Sequence, residues 1–402
     1  MENNHEIYAL WLLCRAKQCS RRLYKAVKYF TCPEEAYFSR PEDFDPTLFT
    51  PGEIASFSSK DLSKAKKVGE YCRKNGIKII AYSDSAYPPS LLELEQTPPV
   101  LFVKGDISCL TALPCTAIVG TRECTDNGRK LAASISFDLA SAGFCVVSGM
   151  ARGIDTFALK GALLAQKPTV AVLPCGVDIC YPRSNRELYD RIAQTGALVS
   201  EYLPGTECRP FFFQLRNRII SGLCESVLVA ETPEKGGSMI TVRHALDQNK
   251  IVFAIPGAPG TPQSIGTNAL IKDGAFVCTS AADIVEEHNI RCGTALEIPK
   301  KRKIVPQTPQ KYTQKPASGQ KTAPVKAETP VLKPEPARSA EEVGLSGSEA
   351  EIFTAIAKNQ PCSVDTVCDI TGISFPEAVA LLSGMELMGC VEALPGGHYK
   401  VN

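Results

Sequence analysis

Short apolar runs alternate with helix-like segments through the middle of the chain, from about residue 100 to residue 290. The runs are rich in Val, Ile, Leu and Ala, a pattern typical of strands that are buried on both faces. Buried strands separated by helices predict an α/β fold in which helices cover both faces of a parallel sheet. The six runs are residues 116–120, 144–148, 169–174, 197–201, 226–231 and 251–256.

The segment before this region has a different pattern of apolar residues. Residues 1–85 show apolar positions at helical spacing, and the proline pairs at 88–89 and 98–99 interrupt any helix that would continue. We therefore predict a small helical domain over 1–85 and a sheet domain over 97–290.

The segments after the sheet region differ in charge. Residues 299–340 contain eight prolines, with 10 Lys and Arg against 2 Asp and Glu, which predicts a disordered basic linker. Residues 341–402 contain 2 Lys and Arg against 9 Asp and Glu. They show three helical segments and a closing hairpin, which are typical of a winged-helix domain.

Cysteine usage and hydropathy limit the class of protein. The chain has 17 cysteines, no C-x-x-C pair and four histidines, so we predict reduced core cysteines, no metal site and no cofactor. No run approaches the roughly 20 apolar residues of a membrane span, and the N-terminus lacks a basic-then-apolar signal pattern. We expect a cytoplasmic protein without a membrane partner.

The loop SGMARGID follows the second apolar run and leads into a helix. Its glycines, Gly149 and Gly153, are spaced G-x-x-x-G, which does not match the dinucleotide fingerprint G-x-G-x-x-G. Glycines at a helix start, with Arg152 between them, suit an anion. The same glycines could equally serve a plain turn in which Asp155 caps the helix, and the loop alone leaves both readings open.

Three further donor clusters follow other strands of the predicted sheet. They are GTR at 120–122, RNR at 216–218 and GGS at 236–238. Because the carboxyl ends of parallel strands share one edge, four clusters there suit several phosphates in a row, as in a nucleic-acid backbone. The candidate DNA-binding residues are Gly120, Thr121, Arg122, Ser148, Gly149, Arg152, Gly153, Arg183, Arg216, Asn217, Arg218, Gly237 and Ser238.

Catalytic motifs are absent from these loops. The chain shows no Ser-His-Asp order, no H-E-x-x-H and no carboxylate cluster of the D-x-D type. Asp155, Glu201 and Glu231 stand near strand ends, where carboxylates more often cap helices or pair with arginine. We therefore favour a protein that is not an enzyme. A nucleotide hydrolase that uses the same anion site, with Glu231 as its carboxylate, is the alternative.

Eight motifs, taken in order, resemble the DNA-processing protein A family, also called Smf, over about residues 100–285. The resemblance implies an extended Rossmann-like core that binds single-stranded DNA without hydrolysing it. It also implies an N-terminal domain like a SAM or helix-hairpin-helix domain, a homodimer, and delivery of incoming strands to a RecA-type recombinase in natural transformation. The motifs are GTR, SGMARGID, GVDICYP, SEYLPG, RNRIISGL, GGSMIT, IPG and NALIKDGA.

The chain departs from the family pattern at three places. Leu159 stands where the family usually has His, and Gln214 stands where it usually has Pro. The first helices show AKQCSRR in place of a Gly-x-Gly hairpin, which puts DNA contact by the N-terminal domain in doubt.

The acidity of the predicted winged-helix domain argues against DNA binding by this domain. Its predicted recognition segment, SFPEAVALLSGMELMG, contains no Lys or Arg, and DNA affinity grows with the cations that neutralise phosphates. We predict that this domain docks a protein or regulates the chain itself. The same acidity argues against a transcription regulator that reads DNA through the winged helix.

Overall fold

The computed structural model describes residues 4–15, 20–299, 347–358, 362–373, 378, 381–382, 385, 390–394 and 398–401. The chain divides into two compact units, Met1–Pro306 and Gln307–Asn402, and each is described by itself. Apart from its first residue, the predicted linker at 299–340 lies outside the described residues.

A nine-stranded sheet organises the first unit, in the order β1-β2-β6-β5-β4-β3-β7-β8-β9. The neighbours from β6 to β9 pair in parallel, whereas β2 pairs antiparallel with both β1 and β6. The strands are β1 (Lys78–Ala81), β2 (Val100–Gly105), β3 (Cys115–Val119), β4 (Cys145–Ser148), β5 (Thr169–Val172), β6 (Ala197–Ser200), β7 (Ser226–Val229), β8 (Ile251–Ala254) and β9 (Phe276–Val277).

Helices of this unit begin at recognisable sequence signals. Thr125 accepts a hydrogen bond from the amide of Gly128, and Pro210 opens its helix at a position where no amide donor is needed. The helices are α1 (Asn4–Arg15), α2 (Arg21–Tyr29), α3 (Pro33–Phe38), α4 (Pro51–Ser58), α5 (Ser63–Lys74), α6 (Cys109–Ala112), α7 (Asp126–Ser141), α8 (Ile154–Leu164), α9 (Arg186–Thr195), α10 (Pro210–Gly222), α11 (Ser238–Asp247), α12 (Pro262–Lys272) and α13 (Ala281–Cys292).

Both faces of the sheet are buried, because successive side chains of a strand point to opposite faces. Ala117 and Val119 of β3 belong to one apolar cluster, which also contains Trp11 of α1. Ile118 belongs to a second cluster, in which α7, α8 and α13 cover the other face. The N-terminal helices therefore share a core with the sheet.

The predicted α/β architecture is confirmed. The six apolar runs form β3 to β8, and the α-helices between them cover the sheet. The sequence pattern missed β1, β2 and β9, which lie at the ends of the sheet order or, for β2, next to the end. The domain boundaries stay predictions.

The strand order reverses at β3, and this positions the candidate site. From β3 the chain proceeds through β4, β5 and β6 on one side, and then returns to place β7 against the other side of β3. Open α/β sheets form a crevice outside the carboxyl ends of the strands at such a reversal.

The second unit contains two described helices, α14 (Ser348–Lys358) and α15 (Val364–Thr371), and a small sheet. The sheet has the order β10-β12-β11, and its pairs are antiparallel. Its strands are β10 (Cys362–Ser363), β11 (Val391–Leu394) and β12 (His398–Val401). The predicted recognition segment at 374–389 lies mostly outside the described residues.

Within the described ranges, none of the helices combines the length and the apolar character that a membrane crossing requires.

Candidate nucleic-acid interface

A cavity of about 640 Å³ opens at the carboxyl ends of β3 and β7, where the strand order reverses. Its walls are the loop after β3, the loop after β4, the start of α10 and the start of α11. Seven of the sequence-predicted DNA-binding residues line it: Gly120, Thr121, Arg122, Arg216, Asn217, Gly237 and Ser238.

The loop after β3 is held from two sides. The amide of Thr121 donates to the carbonyl of Glu231 at 2.7 Å, and the carbonyl of Thr121 accepts from the amide of Ile154 at 3.2 Å. A Cβ at Gly120 would lie 2.5 Å from the Ile154 side chain, so only glycine fits there. The loop therefore presents Arg122 from a fixed backbone.

Arg122 is exposed, and its guanidinium lies 5.0 Å from the centre of the Phe213 ring. Tyr181 meets the same ring edge-on at 5.5 Å. A cation over an aromatic face is attracted by the ring quadrupole. The mouth of the cavity thus combines an exposed positive charge with two rings, the two components that single-strand binding surfaces use.

The loop after β4 folds around Asp155. The Asp155 carboxylate accepts from the amides of Gly149 at 3.1 Å and Ala151 at 3.4 Å. Burial raises the pKa of Asp155 to about 6, although the nearby Arg216 and these two amides favour the ionised form. The carboxylate therefore shapes the loop before α8, and the described start of that helix has no side-chain cap, which differs from the helix-capping role that the plain-turn reading gave Asp155.

Arg216 lies beneath this loop, and its side chain is buried. One Nη donates to the carbonyl of Gly149 at 2.6 Å and to the carbonyl of Val172, while Nε donates to Oδ1 of Asn217 at 3.2 Å. Burial lowers the pKa of this guanidinium from its ordinary value. Arg216 forms part of the cavity wall and also ties α10 to the ends of β4 and β5.

The start of α11 forms the opposite wall. Ser238 begins the helix, and its hydroxyl donates to Oγ1 of Thr232 at 2.7 Å. The start of a helix carries the positive end of its dipole, and here the amides of Met239 and Ile240 donate to the carbonyls of Gly236 and Gly237 at 3.0 and 3.3 Å. Gly237 has open space around its Cα, so a phosphate can approach this backbone closely.

The other predicted site residues do not line the cavity. Arg152 and Arg183 are exposed, and Gly153 takes a φ of 78° at the start of α8. Ser148 is buried and donates to the carbonyl of Ile118 at 2.7 Å. Gly149 helps to hold the loop after β4, because its amide donates to Asp155 and its carbonyl accepts from Arg216. Direct DNA contacts of the seven lining residues, and of Arg152 and Arg183, stay predictions.

Arg218 requires a correction to the sequence interpretation, because this residue is 3% exposed and does not line the cavity. It forms a two-pronged ion pair with the Glu201 carboxylate, with both N–O distances 2.7 Å. It also donates to the Tyr24 hydroxyl at 3.1 Å. Arg218 thus joins α10, the end of β6 and the N-terminal helices, and the helix periodicity points it away from the site.

Arg209 is a cavity residue that the sequence interpretation missed. It stands immediately before α10, is exposed, and lines the cavity with Arg122. The sequence signal that could have identified Arg209 is its position immediately before Pro210, the residue that opens α10. With Arg209, the described lining contains three arginines against Glu123 and Asp155, a balance that favours an anion.

The strand-end carboxylates have structural partners. Glu231 accepts from the amide of Thr125 at 2.8 Å and from its hydroxyl at 2.6 Å. Glu201 pairs with Arg218, and Asp155 holds the β4 loop. Glu201 follows the expectation that such carboxylates cap helices or pair with arginine, whereas Asp155 holds a loop and Glu231 holds Thr125, the residue before α7.

Comparisons with known proteins agree with this architecture. Residues 78–289 match the family described as DNA recombination-mediator protein A, and residues 334–397 match a winged-helix domain model of the same family. Protein Smf of Synechocystis is 30% identical over 392 residues, covering 94% of each chain. DNA processing protein DprA of Bacillus subtilis is 40% identical over 215 residues, covering 54% of this chain and 72% of the relative.

A solved structure shows the same likeness. The X-ray structure of DNA processing protein A from Streptococcus pneumoniae aligns with a TM-score of 0.57 at 32% identity. The alignment covers 71% of this chain and 97% of the pneumococcal chain.

Proposed function

The chain belongs to the DNA recombination-mediator protein A family, and on that premise we propose that it binds single-stranded DNA in the cavity at the β3–β7 reversal. One observation carries the proposal: Arg122, which lies over the Phe213 ring, and the start of α11 line the same cavity. A phosphate would lie between the guanidinium and the start of α11, while a base stacks on the exposed Tyr181 ring beside the half-buried Phe213.

We propose further that the protein processes incoming DNA in the cytoplasm and loads a RecA-type recombinase during natural transformation. The description of the matched family as a recombination mediator supports this role.

A homodimer belongs to the same proposal. The edge strand β9 exposes Phe276 and Val277, which are 44% and 47% accessible, and Leu246 of α11 is 59% accessible. An apolar sheet edge favours association with another chain. Light scattering of the purified protein is expected to give twice the chain mass.

The protein is proposed to bind DNA without hydrolysing it. A nucleotide hydrolase would need a carboxylate directed at a bound sugar, whereas Glu231 is held by Thr125 and Asp155 by two amides. These partners weigh against the hydrolase alternative.

Binding to single-stranded oligomers, double-stranded oligomers and mononucleotides across a salt series tests the proposal. Single strands are expected to bind most tightly, with a steep salt dependence because phosphate contacts release counterions. Arg122→Ala is expected to weaken binding about tenfold and to reduce the salt slope. Arg191→Ala, at an exposed position of α9 outside the cavity, is the matched control.

Two results would contradict this function. Tight mononucleotide binding with release of the base would favour the hydrolase. Equal affinity of Arg122→Ala and the wild type for single strands would move the binding surface away from the cavity.

A further inference from the structure

Glu225, just before β7, and His288 and Cys292 of α13 form a cluster of possible metal ligands. The His288 Nδ1 lies 2.7 Å from a carboxylate oxygen of Glu225. One ligand atom from each of the three residues lies within 4.8 Å of the other two. In the described part of the chain, this is the only set of three or more His, Cys, Asp and Glu side chains that converges in this way.

Regular secondary structure holds the backbones of all three residues. His288 and Cys292 are four residues apart on α13, so they share one face of the helix. Glu225 immediately precedes β7, and its amide donates to the carbonyl of Cys115 at 2.9 Å. The His288 ring packs edge-on against Phe144 at 5.1 Å, which fixes its position in the cluster.

The cluster is separate from the proposed DNA site. Glu225 lies at the amino end of β7, whereas the cavity opens beyond the carboxyl end of the same strand. None of the three residues lines the cavity. Glu225 and Cys292 are exposed, so an ion from solvent has access to the cluster.

We propose that Glu225, His288 and Cys292 bind a zinc ion, in place of the sequence prediction of no metal site, which rested on ligand spacing along the chain and not on residues 63 positions apart that meet in the fold. Imidazole nitrogen and thiolate sulfur favour zinc over magnesium or calcium, and a carboxylate oxygen is an accepted third ligand. One thiolate and one carboxylate balance the two positive charges of the ion. Water completes the four positions of a tetrahedral site.

The present distances require small movements for coordination. Zinc–ligand bonds of about 2.0 to 2.3 Å place tetrahedral ligand atoms roughly 3.4 to 3.6 Å apart. The His288–Glu225 contact of 2.7 Å must therefore open by roughly 1 Å, and the Cys292 sulfur, within 4.8 Å of the other two ligand atoms, must reach the same separation. Binding displaces to solvent the proton between His288 and Glu225 and the thiol proton of Cys292, so affinity is expected to rise with pH.

The ion would tie the end of α13 to the beginning of β7. Cys292 is the last residue of this helix, and Gly293 ends it in a left-handed conformation with a φ of 63°. A ligand that binds the folded state alone stabilises it, so zinc is expected to raise the melting temperature of the full chain.

Cobalt absorption tests the site, because cobalt takes zinc positions and its thiolate complexes absorb in the near ultraviolet. One equivalent of Co²⁺ added to the reduced full-length protein is expected to give this absorption, and Zn²⁺ is expected to remove it. Cys292→Ser is expected to abolish the thiolate band, and His288→Gln and Glu225→Gln to weaken cobalt binding at least tenfold. Cys32→Ser, at a half-buried position on the N-terminal side, is the matched control.

The result that overturns the proposal is a cobalt spectrum that Cys292→Ser leaves unchanged, or no absorption at one equivalent. Circular dichroism of each variant establishes that it is folded. If His288→Gln does not fold, the Cys292→Ser and Glu225→Gln variants still decide the question, because their side chains are exposed.

Discussion

The guanidinium of Arg216 lies directly over the backbone of Gly149, in the space that a side chain at position 149 would take. A Cβ at Gly149 would lie 2.5 to 2.7 Å from three atoms of that guanidinium. The same guanidinium donates to the Gly149 carbonyl. The glycine of the β4 loop and the arginine of α10 therefore form one structural unit beneath the candidate interface.

Gly149→Ala is expected to displace Arg216 and to destabilise the protein by about 2 to 4 kcal/mol, because a buried charged donor loses its acceptors. Urea unfolding of the variant measures this loss. Gly52→Ala is the control, since a Cβ there meets nothing within 4 Å. An equal stability of Gly149→Ala and wild type would show that Arg216 moves aside without cost.

Arg218→Ala is expected to destabilise the protein by about 3 to 5 kcal/mol, because Glu201 would remain buried and charged without its partner. The affinity of the folded fraction for single-stranded DNA is expected to stay within about twofold of wild type. The paired substitution Arg218→Met with Glu201→Leu removes both charges and is expected to recover much of the stability. A large loss of affinity in that folded double variant would return Arg218 to the DNA-binding set.

Phe213→Leu is expected to weaken single-strand binding by about 0.5 to 1 kcal/mol, because Arg122 loses the ring beneath it. The salt slope is expected to stay constant, since no phosphate contact is removed. Fluorescence anisotropy across a salt series measures both quantities. Phe211→Leu, at a 59% exposed ring outside the cavity lining, is the control, and an equal loss in both variants would contradict the role of Phe213.

The free energy of unfolding is expected to depend on pH through Asp155. Its folded pKa of about 6 exceeds the ordinary value of 3.8, so the folded protein holds this proton more tightly than the unfolded chain. The contribution is present at low pH and is lost as pH rises through about 6. From pH 7 to pH 5 the wild type is expected to gain about 1 kcal/mol relative to Asp155→Asn. A difference between the two proteins that is constant with pH would contradict this.

Removal of residues 341–402 is expected to leave single-strand affinity unchanged or to increase it. The segment carries 2 Lys and Arg against 9 Asp and Glu, a net charge of −7, which DNA repels. Anisotropy at low salt, with the full chain as reference, measures the effect. A loss of affinity greater than tenfold would assign the winged-helix domain a DNA contact.

The sequence by itself determined the six central strands of the sheet and the sheet edge at which the candidate site lies. Short apolar runs such as 226–231, separated by helix-like segments, are typical of strands with cover on both faces, and parallel strands bring the following loops to one edge. The sequence could identify Gly120 and Gly149 as positions where the backbone approaches a neighbouring group closely. The sequence could not say whether that neighbour is a ligand or another part of the chain.

Only the tertiary structure decided which charges face the cavity. Arg216, Asn217 and Arg218 are consecutive, yet helical geometry directs successive side chains about 100° apart, so one arginine lines the cavity and the other pairs with Glu201. The same holds for Glu225 and His288, which are 63 residues apart and meet at 2.7 Å. Local pattern determines secondary structure, whereas the partner of a buried charge depends on which distant segment the packing brings against it.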